Sequence, residues 1–172
     1  SSDVCSSDLV RDEVAYGARL AGLRGAALEA AVADALGQTG LTAAADEHPY
    51  DLGPSGRRLL VTASVLAMGT PIVVLDEPTM GLPADAADRV GTIVEELAEA
   101  GRTTIVATHD VRFAAERCDR VVVLAAGRVV MDGPPGEVLG ETSRDRLADA
   151  WLTPPPVATR SEEHTSELQS RG

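Results

Sequence analysis

Apolar positions along the chain follow two different rhythms. From Val10 to Met68 they recur at helical spacing, which predicts helices over Val10–Leu23, Arg24–Gln38 and Arg57–Met68. In the second of these, Ala27, Leu28, Ala31, Val32, Ala35 and Leu36 make one apolar stripe suited to packing, and Gly40 stands where the helix should end. The third is apolar on most sides and is predicted to be largely buried. His48-Pro49-Tyr50-Asp51 reads as a loop, because Pro49 forces an extended residue before it. From Pro71 onward the pattern becomes short β-branched runs separated by helices. Ile72–Leu75 and Thr103–Ala107 are predicted strands, buried as in a parallel sheet that is covered on both faces. Ala84–Ala100 is a helix between them, with Gly101 as its cap. Val111–Arg117 is a short helix, Arg120–Leu124 and Arg128–Met131 flank Ala125-Ala126-Gly127 as a hairpin, and Pro134–Leu139 and Arg144–Leu152 read as small helices before Pro154-Pro155-Pro156. Strands alternating with helices predict an α/β fold, without internal repeats.

Composition narrows the function. With 172 residues, 44% of them hydrophobic, the chain can build about one ordinary core; with 2% aromatics, that core must come from Ala, Val, Leu and Ile. No apolar run approaches the roughly 18 to 20 residues that span a bilayer, so a membrane role would pass through a partner. The net charge of −12 argues against nucleic acid as the main partner. The two ends are unlike the rest. Ser2–Leu9 can be encoded by DNA whose reverse complement translates as Arg160–Glu167, and unrelated native segments do not mirror each other in this way. Residues 1–9 and 160–172 therefore read as translated sequencing adapter around a native part, with a disordered tail from 154. Without residues 1–8 and 160–172 the chain keeps its acid surplus, and Cys118 remains as a single cysteine with no disulfide framework, best read as a small packing residue.

Chemistry concentrates after the first predicted strand. Asp76 and Glu77 lie at its end, where open α/β sheets bind ligands. There one carboxylate can hold Mg²⁺ and the other can take a proton from a water attacking a phosphate. An acid pair that merely caps a loop is the plain alternative. His109 follows the second strand in A-T-H-D, 32 residues after Glu77.

Taken together, P-I-V-V-L-D-E-P over Pro71–Pro78 with Thr79, the later Thr108-His109-Asp110, and L-G-P-S-G-R-R over Leu52–Arg58 resemble the C-terminal part of an ABC-type ATPase. The resemblance covers about residues 10–159. It implies an incomplete P-loop NTPase-like ABC ATPase fold, with a helical signature subdomain over 10–68 and the C-terminal part of the RecA-like core over 69–153. It implies ATP and Mg²⁺ as cofactors, Asp76 as the metal ligand, Glu77 as the residue that polarises water, and His109 as the switch histidine that reaches the γ-phosphate. Leu52, Gly53, Pro54, Ser55 and Gly56 occupy the signature, which in the family holds the nucleotide of the opposite subunit. Met80 begins a stretch with Gly81, Leu82 and Pro83 that resembles the D-loop. Two departures stand out: Gly53 replaces the signature serine, with Ser55 and Gly56 displaced from the usual pattern, and Pro83 stands where an aspartate is usual. A G-x-x-x-x-G-K-[ST] phosphate loop and a Q-loop glutamine, both upstream in the family, are absent from the sequence, which truncation would explain.

The run H-P-Y-D-L, then R-R-L-L and A-S-V-L-A-M-G-T-P, resembles energy-coupling-factor ATPases, which drive uptake of vitamins and of cobalt or nickel. That likeness implies integral membrane transporter subunits and a second ABC ATPase subunit as partners, no nucleic acid, and a peripheral place on the cytoplasmic membrane face. Two rivals stay open: a regulatory or weakly hydrolysing subunit of a heterodimer, and a soluble ABC ATPase outside transport.

Overall fold

The computed structural model describes residues 9–140 and 143–149, and the chain divides into two compact units, residues 1–109 and 110–172.

The first unit begins with three helices, α1 (Val10–Leu20), α2 (Gly25–Thr39) and α3 (Pro54–Leu66), each packed on the other two. α1 stops three residues before the predicted end, at a turn in which Gly22 takes a φ of 96°, and Arg24 Nη1 closes that turn by donating to the Arg19 and Leu23 carbonyls. α2 ends as expected at Gly40, which is left-handed at φ 72°. Its apolar stripe is buried only at Ala35 and Leu36; Leu28 and Val32 instead line, with Ala15 of α1, a groove of about 390 Å³. α3 starts three residues earlier than expected, because Pro54 sits in its first turn, where a missing N–H costs nothing.

A β–α–β unit follows. Strand β1 (Ile72–Asp76) pairs in parallel with β2 (Thr103–Ala107), in register from Ile72 opposite Thr103 to Asp76 opposite Ala107. Between them runs α4 (Ala84–Glu99), which buries Ala86, Val90, Ile93, Val94 and Leu97 on one face and packs against both β2 and α2. Sinking a side chain such as Ile93 or Val90 completely contributes about 1.5–3 kcal/mol each, so this face ties the helices to the sheet. The expectation of strands covered on both faces is corrected here. Val73 and Leu75 are buried, but Ile72 (56% exposed), Val74 (63%) and Ile105 (53%) are open. Within residues 9–109, helices cover one face of this sheet only.

The second unit holds α5 (Val111–Arg117), the antiparallel strands β3 (Val121–Ala125) and β4 (Arg128–Gly133), and the short helices α6 (Pro135–Val138) and α7 (Arg144–Asp149). Its core is Val123, Met131, Val138, Leu139 and Leu147. The hairpin is joined by Ala126 and Gly127 alone, at φ 49° and 72°; this pair of left-handed residues matches the twist of the strands, and Gly127 adopts it without strain. Cys118 is half-buried, as a packing residue should be, and burial pushes its thiol up. The expected continuation of the last helix to Leu152 and the proline run lie outside the described residues.

Candidate active site at the strand ends

The parallel ladder of β1 and β2 is what builds the site. Pairing brings Asp76 opposite Ala107, and the ladder runs one rung further, since the Glu77 N–H donates to the Ala107 carbonyl at 2.8 Å. Glu77 then turns sharply with a φ of 45°, a left-handed conformation that costs a glutamate of order 1 kcal/mol or more and persists only where the surroundings hold it. Three donors hold it here. Oε1 accepts from the His109 backbone N–H at 3.1 Å and from His109 Nδ1 at 2.7 Å, while Oε2 accepts from the Thr108 hydroxyl at 3.2 Å.

These bonds fix the charge state. The His109 side chain foremost, then the Thr108 hydroxyl, hold the Glu77 carboxyl below the usual glutamate range, against a smaller push upward from burial. Glu77 is thus an ionised acceptor with lone pairs still open to a water. The carboxylate can only accept, so His109 carries a proton on Nδ1; with a second proton on Nε2 the same ring can also donate to an anion. Asp76, one residue before, is exposed. Among the described residues it has no hydrogen-bond or ion-pair partner, and no three His, Cys, Asp or Glu side chains gather as a metal cage. A free carboxylate without a cage fits Mg²⁺, which keeps several waters and binds through one or two carboxylates plus substrate phosphates.

The chain after Glu77 makes two tight turns, Met80 N–H to Glu77 O at 3.2 Å and Leu82 N–H to Thr79 O at 3.1 Å, with Gly81 at φ 72°. Pro83 then becomes the N-cap of α4, extended at φ −65° and ψ 161° and without a side chain able to cap. On the other side of the unit Gly53 is the N-cap of α3, also without a side-chain cap. Ser55 and Gly56 lie in that helix's first turn, where backbone N–H groups lack helical partners. Leu52 is buried beneath the turn, and Arg57 Nη1 clamps its carbonyl at 2.9 Å.

The chain is similar to many proteins of one kind. It is 34% identical over 150 residues, 87% of its length, to the energy-coupling factor transporter ATP-binding protein EcfA of Methanothermobacter thermautotrophicus. It is 35% identical over 143 residues, 83% of its length, to a protein of Methanothermobacter marburgensis named as an ABC transporter ATP-binding protein. Among solved structures, cbiO1 of Clostridium perfringens, part of the ABC transporter complex cbiONQ, superposes with a TM-score of 0.69 at 32% identity over 82% of this chain and 57% of that one. No family model matches.

The chain is an ABC ATPase homologue.

It spans about half the length of the curated relatives it matches, 51% and 48% of the two named here, and its fold is part of the ABC ATPase domain. In that frame, Asp76, Glu77 and His109, singled out from spacing, come together at one strand end, whereas Leu52–Gly56 and Gly81–Pro83 form two separate helix starts. Thr108 is the site residue that sequence reasoning passed over. The alternation of β2 could have found it, because Thr104, Val106 and Thr108 share the half-buried side of the strand.

Proposed function

We propose that the protein to which this chain belongs hydrolyses ATP to power a membrane transporter, and that the chain supplies the residues that activate water and sense the γ-phosphate. The observation that carries this reading is the Glu77 carboxylate, ionised, half-buried and oriented by three donors at the ends of two parallel strands. In the reaction a water oxygen bonds to the γ-phosphorus as the bond to the β–γ bridging oxygen breaks, and Glu77 takes the water's proton. Asp76 would hold Mg²⁺, whose chemistry is to neutralise charge on the phosphate oxygens. His109, exposed on its ring, is free to exchange Glu77 for the γ-phosphate.

The transporter is of the energy-coupling-factor kind in our reading, supported by the likeness to EcfA and cbiO1 and by the run from His48 to Pro71. No helix among the described residues is long and apolar enough to cross a membrane, which accords with a peripheral subunit on the cytoplasmic face that works through integral membrane partners. The uncapped starts of α3 and α4 favour one further refinement, a heterodimer with a second ABC ATPase. The signature and D-loop serve the partner's nucleotide in this family, so Gly53 and Pro83 would weaken the partner's site and leave this chain's own site intact.

The test is Glu77→Gln in the full-length protein assembled with its neighbouring ATPase. Turnover should be lost while ATP binding persists. Unchanged turnover would remove Glu77 from the mechanism and the reading with it.

A further inference from the structure

Glu77 is held by two kinds of donor, and they differ in how freely they can let go. The imidazole of His109 is 71% exposed and turns about its own side-chain bonds. The hydroxyl of Thr108 sits on a half-buried, β-branched residue directly after β2, where branching at Cβ restricts the side chain to few rotamers. Each donor has its own oxygen: the two His109 bonds end on Oε1 and the Thr108 bond on Oε2. If the ring leaves Oε1, that oxygen gains room for a water, and Oε2 stays anchored.

We propose that Thr108 is a positioning residue for hydrolysis: its hydroxyl pins Oε2 of Glu77 so that the carboxylate keeps its aim when the His109 ring departs. This rests on the reading of Glu77 as the water-activating group. Without the hydroxyl, the carboxylate would have one backbone donor from His109 as its remaining fixed contact and would turn about its terminal bond. An ill-aimed base lowers the rate of the chemical step and leaves nucleotide binding alone, since Thr108 bonds the carboxylate and not the phosphates.

The experiment compares Thr108→Val, Thr108→Ser and Glu77→Gln in the full-length protein assembled with its neighbouring ATPase. Thr108→Val keeps the shape and removes the donor; kcat should fall about tenfold, the factor that follows from one lost hydrogen bond to a charged group, with KM for MgATP unchanged. Thr108→Ser restores the donor and should recover most of kcat. In a Glu77→Gln background the same Thr108→Val change should cost almost nothing further, because the two residues act as a unit. Thr108→Ala, with less bulk at the strand end, serves in place of the valine variant if that one melts early. A Thr108→Val protein with wild-type kcat, while Glu77→Gln is dead, would overturn the assignment. So would equal losses in the valine and serine variants, or a loss that is additive with Glu77→Gln. A Glu77→Gln protein that turns over normally would instead strike the catalytic reading itself.

Discussion

The strand-end cluster and the two helix starts were built by opposite means. At the ends of β1 and β2, side chains do the organising: one carboxylate gathers a hydroxyl, an imidazole and a backbone N–H, and the backbone at Glu77 is bent to present it. At the starts of α3 and α4, the side chains that could organise are missing. Gly53 and Pro83 occupy the two N-cap positions, and neither can accept from the first-turn N–H groups. Both departures from the family pattern therefore fall on the same structural role, capping. A site made of side chains fails when a single atom changes. A site made of backbone tolerates side-chain loss and gives up only the increment that a cap supplies.

The largest effect should follow from the carboxylate. In the assembled full-length protein, Glu77→Gln should cost about 10²-fold or more in turnover, the usual scale for removing a general base. The equivalent glutamate of the partner should matter much less if the helix starts weaken that partner's site. Steady-state hydrolysis by each single variant decides this, and equal losses on the two sides would erase the contrast. Residues 10–159 purified alone should show no Mg²⁺-dependent hydrolysis above a Glu77→Gln control.

The next effects are on stability. Pro83→Asp would place a capping carboxylate at the start of α4 in an extended conformation that suits it. The gain should be about 1 kcal/mol, offset in part by the freedom that aspartate restores to the unfolded chain. A rise of a few degrees in melting temperature is the expected outcome, and a fall would show that Pro83 is held by something other than its capping position. Gly53→Ser should gain less, a few tenths of a kcal/mol, because glycine is already a tolerated cap. A Cβ at residue 53 meets nothing within 4 Å, so a large loss would contradict the local geometry.

Much of this was legible in the sequence, and the misreadings have physical reasons. Helical and strand periods placed the main elements, because each has a face that must be buried. Ile72–Leu75 was read as covered on both faces since all four residues are apolar, yet only Val73 and Leu75 are buried. An apolar run states that cover is wanted, not which layer supplies it. α3 was started late because G-P-S-G reads as a turn; Pro54 as a first-turn residue is the signal that places the start correctly. Asp76, Glu77 and His109 were found from order and spacing, which parallel pairing converts into proximity. The hydrogen bond from Thr108 could not be read that way, since it depends on the bend at Glu77 that no residue type announces.

The smallest effect sharpens the contrast by isolating geometry from context. Asp132 on β4 is another well-held carboxylate: Arg120 Nε and Nη2 each donate to one of its oxygens at 2.7 Å. The distances are as short as any at Glu77, but the pair lies in solvent, where screening and side-chain entropy leave little net stabilisation. The hydrogen bonds from Arg120 hold Asp132 below the usual aspartate range. An aspartate with a depressed folded value contributes stability above its unfolded value and loses it as pH falls through the folded one. Asp132→Asn should therefore lower the melting temperature by no more than roughly a degree or two at neutral pH and low salt. The two melting curves should converge in strong acid, and also in 1 M salt, where charges are screened within about 3 Å. A loss of many degrees, or one that survives both acid and salt, would mean that bidentate geometry stabilises without burial. It would also remove the reason for treating the half-buried setting of Glu77 as the feature that sets it apart.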